Sequence, residues 1–86
     1  MNKTYNFFTD PGHGWLEVPL AEIVNLGIRK DISHYSFLNG STAYLEEDCD
    51  AGRFIEAYKA KYGETPAIAE IHTNYDSHVR NYRRFS

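Results

Sequence analysis

Asn39-Gly40 is the feature of this chain that most constrains its fold. It lies between two runs of β-compatible residues, Ser33 to Leu38 and Ser41 to Glu46. Asn-Gly in that setting predicts a tight hairpin, because a type I′ turn needs positive φ at both central residues. In the register this turn sets, Leu38 opposes Ser41, Phe37 opposes Thr42 and Tyr35 opposes Tyr44. One face then carries Tyr35, Phe37, Thr42 and Tyr44, and the other His34, Ser36, Leu38, Ala43 and Leu45. Both faces are partly apolar, so each needs cover. If helices cover one, the other is either an exposed patch suited to a dimer or partner, or lies beneath the C-terminal tail.

The rest of the chain supplies the cover. Thr4 to Thr9 reads as a strand, Asp10 to Gly14 as a Pro/Gly turn, and Trp15 to Val18 as a second strand antiparallel to the first. Pro19 suits the first position of a short helix with Leu20, Ile23 and Val24 on one face, stopped by Gly27 and apolar Ile28. A second helix is predicted from about Cys49 to Tyr62. Asp48 or Asp50 caps it, Ala51, Phe54, Ile55, Tyr58 and Tyr62 form its apolar stripe, and Gly63 ends it. Ala67 to Thr73 reads as a strand, and 79–85 contains a last short one. The expectation is a single α+β domain over 1–86. Its order is ββαββαβ, with a mostly antiparallel sheet of about five strands and two helices on one face.

Bulk properties narrow the function classes. The chain has 86 residues, a net charge of −3, one cysteine, seven Tyr and five Phe. A domain this small builds a deep catalytic cleft with difficulty. Its acidic balance argues against non-specific nucleic-acid binding, which draws its affinity from neutralised phosphates. A lone Cys49 forms no internal disulfide and fits a reducing compartment. No apolar run suggests a signal peptide or a membrane helix, so a cytoplasmic protein with no membrane partner is expected.

Two segments stand out as partner-binding candidates. Glu46, Glu47, Asp48 and Asp50 concentrate four acids in five residues, suited to a basic groove or a divalent cation, or in part to capping the helix that follows. Arg80, Tyr82, Arg83, Arg84 and Phe85 interleave cations with aromatics, as protein hot spots and base-stacking surfaces do; an edge strand kept soluble by its arginines reads equally well. The glycines of the Asp10-Pro11-Gly12-His13-Gly14-Trp15 loop suit a ligand, with His13 as acid or base oriented by Asp10, or simply a tight turn. His13, His34, His72 and His78 lack the short fixed spacing of a zinc site. No catalytic set, metal or cofactor is therefore expected. A small enzyme built on His13 with Asp10 or Cys49 would require at least two of those side chains in one pocket.

The strings Phe7-Phe8-Thr9-Asp10-Pro11-Gly12-His13-Gly14-Trp15-Leu16-Glu17-Val18-Pro19 and Ala43-Tyr44-Leu45-Glu46-Glu47-Asp48-Cys49-Asp50-Ala51, with the closing Tyr82-Arg83-Arg84-Phe85, resemble a family of short uncharacterised proteins. These are carried by bacteriophages and bacterial mobile elements. The resemblance brings no catalytic residues. It implies a context, the cytoplasm of a bacterial host, in which small proteins often act on a host machine. The leading expectation is a stoichiometric protein-binding protein, such as an inhibitor of a CRISPR–Cas-like defence complex. The alternative is a nucleic-acid-binding accessory protein that uses the tail, and a homodimer is compatible with either.

Overall fold

Local punctuation sets the element boundaries. Strand β1 spans Thr4–Thr9 and β2 spans Gly14–Pro19, joined by the Asp10–His13 turn. Pro19 ends β2 in extended conformation, so helix α1 (Leu20–Asn25) starts one residue later than the proline suggests. Its stop is a Schellman motif: the N–H of Gly27 bonds to Val24 O and that of Ile28 to Ile23 O, with Gly27 at φ 73°. Ile23 is buried and Leu20 half-buried, whereas Val24 faces solvent. A 3-10 turn at Arg29–Asp31 leads towards β3 (Phe37–Asn39) and β4 (Thr42–Glu46). Helix α2 spans Ala51–Tyr62 and closes at Gly63, φ 75°. Strand β5 (Ala67–His72), a 3-10 turn at His78–Asn81 and β6 (Arg83–Arg84) complete the chain.

In the computed structural model, which describes residues 3–85, the strands form one sheet in the order β5-β1-β2-β4-β3-β6. The α+β class, two helices and predominantly antiparallel pairing are as expected. The sheet has six strands rather than about five, and β5 returns parallel to β1. Parallel pairing follows from the α2 crossover, which carries the chain back to the end of the sheet where β1 begins.

The hairpin register differs from expectation by two residues. Phe37 opposes Tyr44, Leu38 opposes Ala43 and Asn39 opposes Thr42. Within the hairpin only Gly40 has positive φ, at 60°, so Gly40-Ser41 form the turn in the Gly-first pattern of type II′ rather than Asn39-Gly40 in type I′. A shift of two residues leaves the facing of the side chains that remain in β3 and β4 unchanged. Residues 33–36 leave the strand to make a turn.

Each face of the sheet has its own core. Leu16, Val18, Leu38, Ala43 and Leu45 pack under both helices, with Ile23, Phe54 and Tyr58. On the opposite face Trp15, Phe37 and Tyr44 pack with Val79, and Phe8 and Tyr82 at the margin. The tail therefore covers the aromatic hairpin face. Tyr82 lies 5.0 Å from Tyr44 and His78 makes an edge contact with Phe8 at 4.9 Å. Two layers thus flank the sheet, one helical and one built by residues 77–82. At the other margin every residue of β5 is exposed.

Candidate functional site

The loop from β1 to β2 is organised around Asp10. Its Oδ1 accepts the backbone N–H groups of Gly12 and His13, both at 3.0 Å. Its Oδ2 accepts the N–H of Ser77 at 2.9 Å. The Arg80 guanidinium completes the set, with Nε to Oδ2 at 2.6 Å and Nη2 to Oδ1 at 3.0 Å. The Arg80 pair, aided by the three backbone donors, holds the Asp10 carboxyl far below the usual carboxylate range. The same guanidinium stacks over Trp15, 5.1 Å from the ring centre. Asp10 therefore pins the tail to the loop. It meets the backbone of His13 rather than the imidazole, which fits the tight-turn alternative for this loop.

The acidic run divides between structure and surface. Glu46 ends β4 opposite Trp15 and is buried. Its Oε1 accepts the N–H groups of Asp48 and Cys49 at 2.9 and 3.1 Å, which shapes the turn into α2. Asp50 occupies the N-cap position of α2 without capping it. It is fully buried, and its carboxylate accepts the N–H of Ser33 at 3.0 and 3.1 Å, the Ser33 hydroxyl at 2.7 Å and the Ser36 hydroxyl. Ser36 Oγ in turn accepts the N–H of Glu46 at 2.9 Å. Glu46 and Asp50 are thus committed inward, while Glu47 and Asp48 remain exposed.

The tail divides in the same way. Phe85 is buried in the helix-side core, with the Arg29 guanidinium over its ring. Tyr82 is half-buried and Arg80 is engaged by Asp10. Arg83 and Arg84 are exposed on β6. Arg84 lies over Phe37, 5.1 Å from the ring centre, and donates to His34 O at 3.3 Å.

These two segments, far apart in sequence, converge. A cleft of about 370 Å³ opens on the tail side of the sheet, with Glu46 and Asp48 from the acidic run and Arg80 and Arg84 from the tail along its walls. Trp15, Tyr35 and Phe37 give it an aromatic lining, and His13 and Cys49 complete it. Glu47, Asp50, Tyr82, Arg83 and Phe85 lie outside it. Phe37 in that lining is legible from hairpin periodicity; Trp15 comes from β2, and the juxtaposition with both charged segments is not legible.

His13 and Cys49 therefore share a pocket, the arrangement required of a small enzyme. Desolvation, and then the carboxylates of Glu46, Asp50 and Asp48, push the exposed Cys49 thiol up, which disfavours the thiolate. The other histidines lie elsewhere: His34 stacks on Tyr35, His72 bonds Thr9 and His78 packs on Phe8. No helix among the described residues is long and apolar enough to cross a membrane.

The fold and cleft define a small α+β domain with a dipolar, aromatic-lined surface depression. No family model, curated protein or solved structure matches this chain.

Proposed function

We propose that this protein acts by stoichiometric binding to another protein, through the cleft where the acidic turn and the arginine tail meet. The observation that carries the reading is that convergence: carboxylates and guanidiniums flank an aromatic lining of Trp15, Tyr35 and Phe37. Trp, Tyr and Arg are the residues that dominate protein interfaces. Exposed Glu47, Asp48, Arg83 and Arg84 around this region steer an incoming surface, and Tyr35, the exposed aromatic of the lining, then slows its release. The resemblance to short phage and mobile-element proteins directs the proposal to a bacterial host complex. An inhibitor of a host-defence complex of the CRISPR–Cas kind is the form it takes.

The test is affinity capture from host lysate, with and without nuclease treatment, by the wild-type chain, the Glu47→Lys/Asp48→Lys variant and the Arg84→Glu variant. All three substituted side chains are exposed, so thermal unfolding should be unchanged. The expected result is one stoichiometric protein partner, with capture weakened at least tenfold in both variants. Equal capture by all three proteins overturns the reading. Capture that disappears on nuclease treatment favours the nucleic-acid alternative, which retains exposed Arg83 and Arg84 but has lost Arg80 to Asp10.

A further inference from the structure

His13 reaches the acidic turn from a different part of the chain. One donor atom each from His13, Glu46, Glu47 and Asp48 lies within 4.8 Å of the others. The backbone fixes this meeting: the N–H of Glu47 bonds to Gly14 O at 3.0 Å, tying the β1–β2 loop to the end of β4. A side chain at position 14 would crowd it, because a Cβ there would lie 3.1 Å from Glu47 Oε2. Glu46 is itself oriented. Its Oε1 is occupied by two backbone N–H groups, and Oε2 lies 3.4 Å from His13 Nδ1. Outer hydrogen bonds of this type aim the carboxylates of metal sites.

An independent observation comes from Trp15. It is the register partner of Glu46, and its ring lies 6.0 Å from that of His13. It is 2% exposed, lines the same cleft, and its indole N–H finds no acceptor among the described residues. Buried donors are rarely left unpaired. The indole shares its cleft with His13, Glu46 and Asp48, so the unpaired donor and three of the candidate ligands line one space.

We propose that His13, Glu46, Glu47 and Asp48 bind one divalent transition-metal ion of the Mn²⁺ or Zn²⁺ class, with water completing its coordination. The donor set selects the class. One imidazole with carboxylates suits these ions, whereas Mg²⁺ and Ca²⁺ favour oxygen alone. Three carboxylates crowded together repel one another, and a divalent charge relieves that repulsion. The ion joins the loop to the turn and neutralises Glu47 and Asp48, so it resets the charge that the cleft presents. The site overlaps the proposed partner surface but does not depend on it.

The full chain, freed of metal by chelation, is titrated calorimetrically with MnCl₂ and ZnCl₂, and with MgCl₂ and CaCl₂ for comparison. Variants are His13→Gln and Glu47→Gln/Asp48→Asn, all at exposed positions, with His34→Gln and His72→Gln as controls. The expected result is one Mn²⁺ or Zn²⁺ per chain and a rise in unfolding temperature with the ion. Affinity should fall at least tenfold in both site variants and hold in the controls. Mn²⁺ should broaden the NMR resonances of residues 13 and 46–48 first. Binding no stronger than that of Mg²⁺, affinity unchanged in His13→Gln, or broadening centred elsewhere overturns the proposal. No partner is present in these measurements, so failure here leaves the partner reading intact, and failed capture leaves the ion site intact.

Discussion

Arg80 holds Asp10 through two hydrogen bonds that join positions 70 residues apart, and the carboxylate it holds is fully buried. The pair fastens the tail layer to the β1–β2 loop. Arg80→Ala leaves that buried charge without its cation and should destabilise the protein by about 3 kcal/mol. Arg80→Lys should recover little, since a lysine cannot reproduce the bidentate fork. Urea unfolding of Asp10→Ala, Arg80→Ala and the double variant checks this. The double variant should lose much less than the sum of the singles, and strict additivity would contradict the coupling.

The same carboxylate predicts acid sensitivity. Its folded-state pKa is depressed, so its stabilisation is complete above the ordinary aspartate value of about 4 and is lost as pH falls below it. Tyr5 and Tyr44 shift the other way. Burial, and then hydrogen bonds to Glu22 and Glu17, push both phenols up. Their contribution is complete below the ordinary tyrosine value of about 10 and is lost as pH rises above it. Unfolding free energy measured against pH should therefore fall at both ends. The acid limb should shrink in the Asp10→Ala/Arg80→Ala variant, and the alkaline limb in Tyr44→Phe.

Two acids two residues apart should respond unequally to truncation. Asp50→Ala removes the acceptor for Ser33 N–H and for the Ser33 and Ser36 hydroxyls, a loss of about 3 kcal/mol. Asp48→Ala, at an exposed position, should change stability by no more than about 0.5 kcal/mol in chelated buffer. Thermal unfolding of the two variants side by side decides the matter.

Gly14 is required by contact rather than by its φ. A Cβ there would lie 2.5 Å from Phe7 Cζ. Gly14→Ala should cost about 1–3 kcal/mol, the range for overpacking. Adding Phe7→Leu should recover part of it, and no recovery would place the strain elsewhere.

Cys49 is exposed, yet its thiol is pushed up by desolvation and by neighbouring carboxylates. Alkylation near neutral pH should therefore be slower than that of a free cysteine peptide, and Asp48→Asn should speed it. A rate above the peptide's would restore the case for a nucleophile.

Much of the fold is legible residue by residue. Gly27-Ile28 and Gly63 stop the helices where expected, because a positive φ is a local demand that glycine meets. The alternation through Phe37–Leu38 and Ala43–Leu45 assigns each side chain to its face, and a two-residue slip in register cannot undo it. Cover for the aromatic face was one of two alternatives that periodicity left open. The path of residues 77–82 decides it.

The candidate site is less legible, for a physical reason. In the sequence Glu46, Glu47, Asp48 and Asp50 are equivalent negative charges, and Arg80, Arg83 and Arg84 equivalent positive ones. Their separation into buried anchors and exposed surface depends on partners such as Ser33 and Ser36 for Asp50 and Asp10 for Arg80, each more than ten residues away. The sequence by itself determined the turns, the helix stops and the two faces of the hairpin, because backbone dihedrals and side-chain period are local properties. Only the tertiary structure decided which charges are spent inside and that His13, the acidic turn and the arginine tail share one cleft. Burial and hydrogen-bond partnership exist only once distant segments have been brought together.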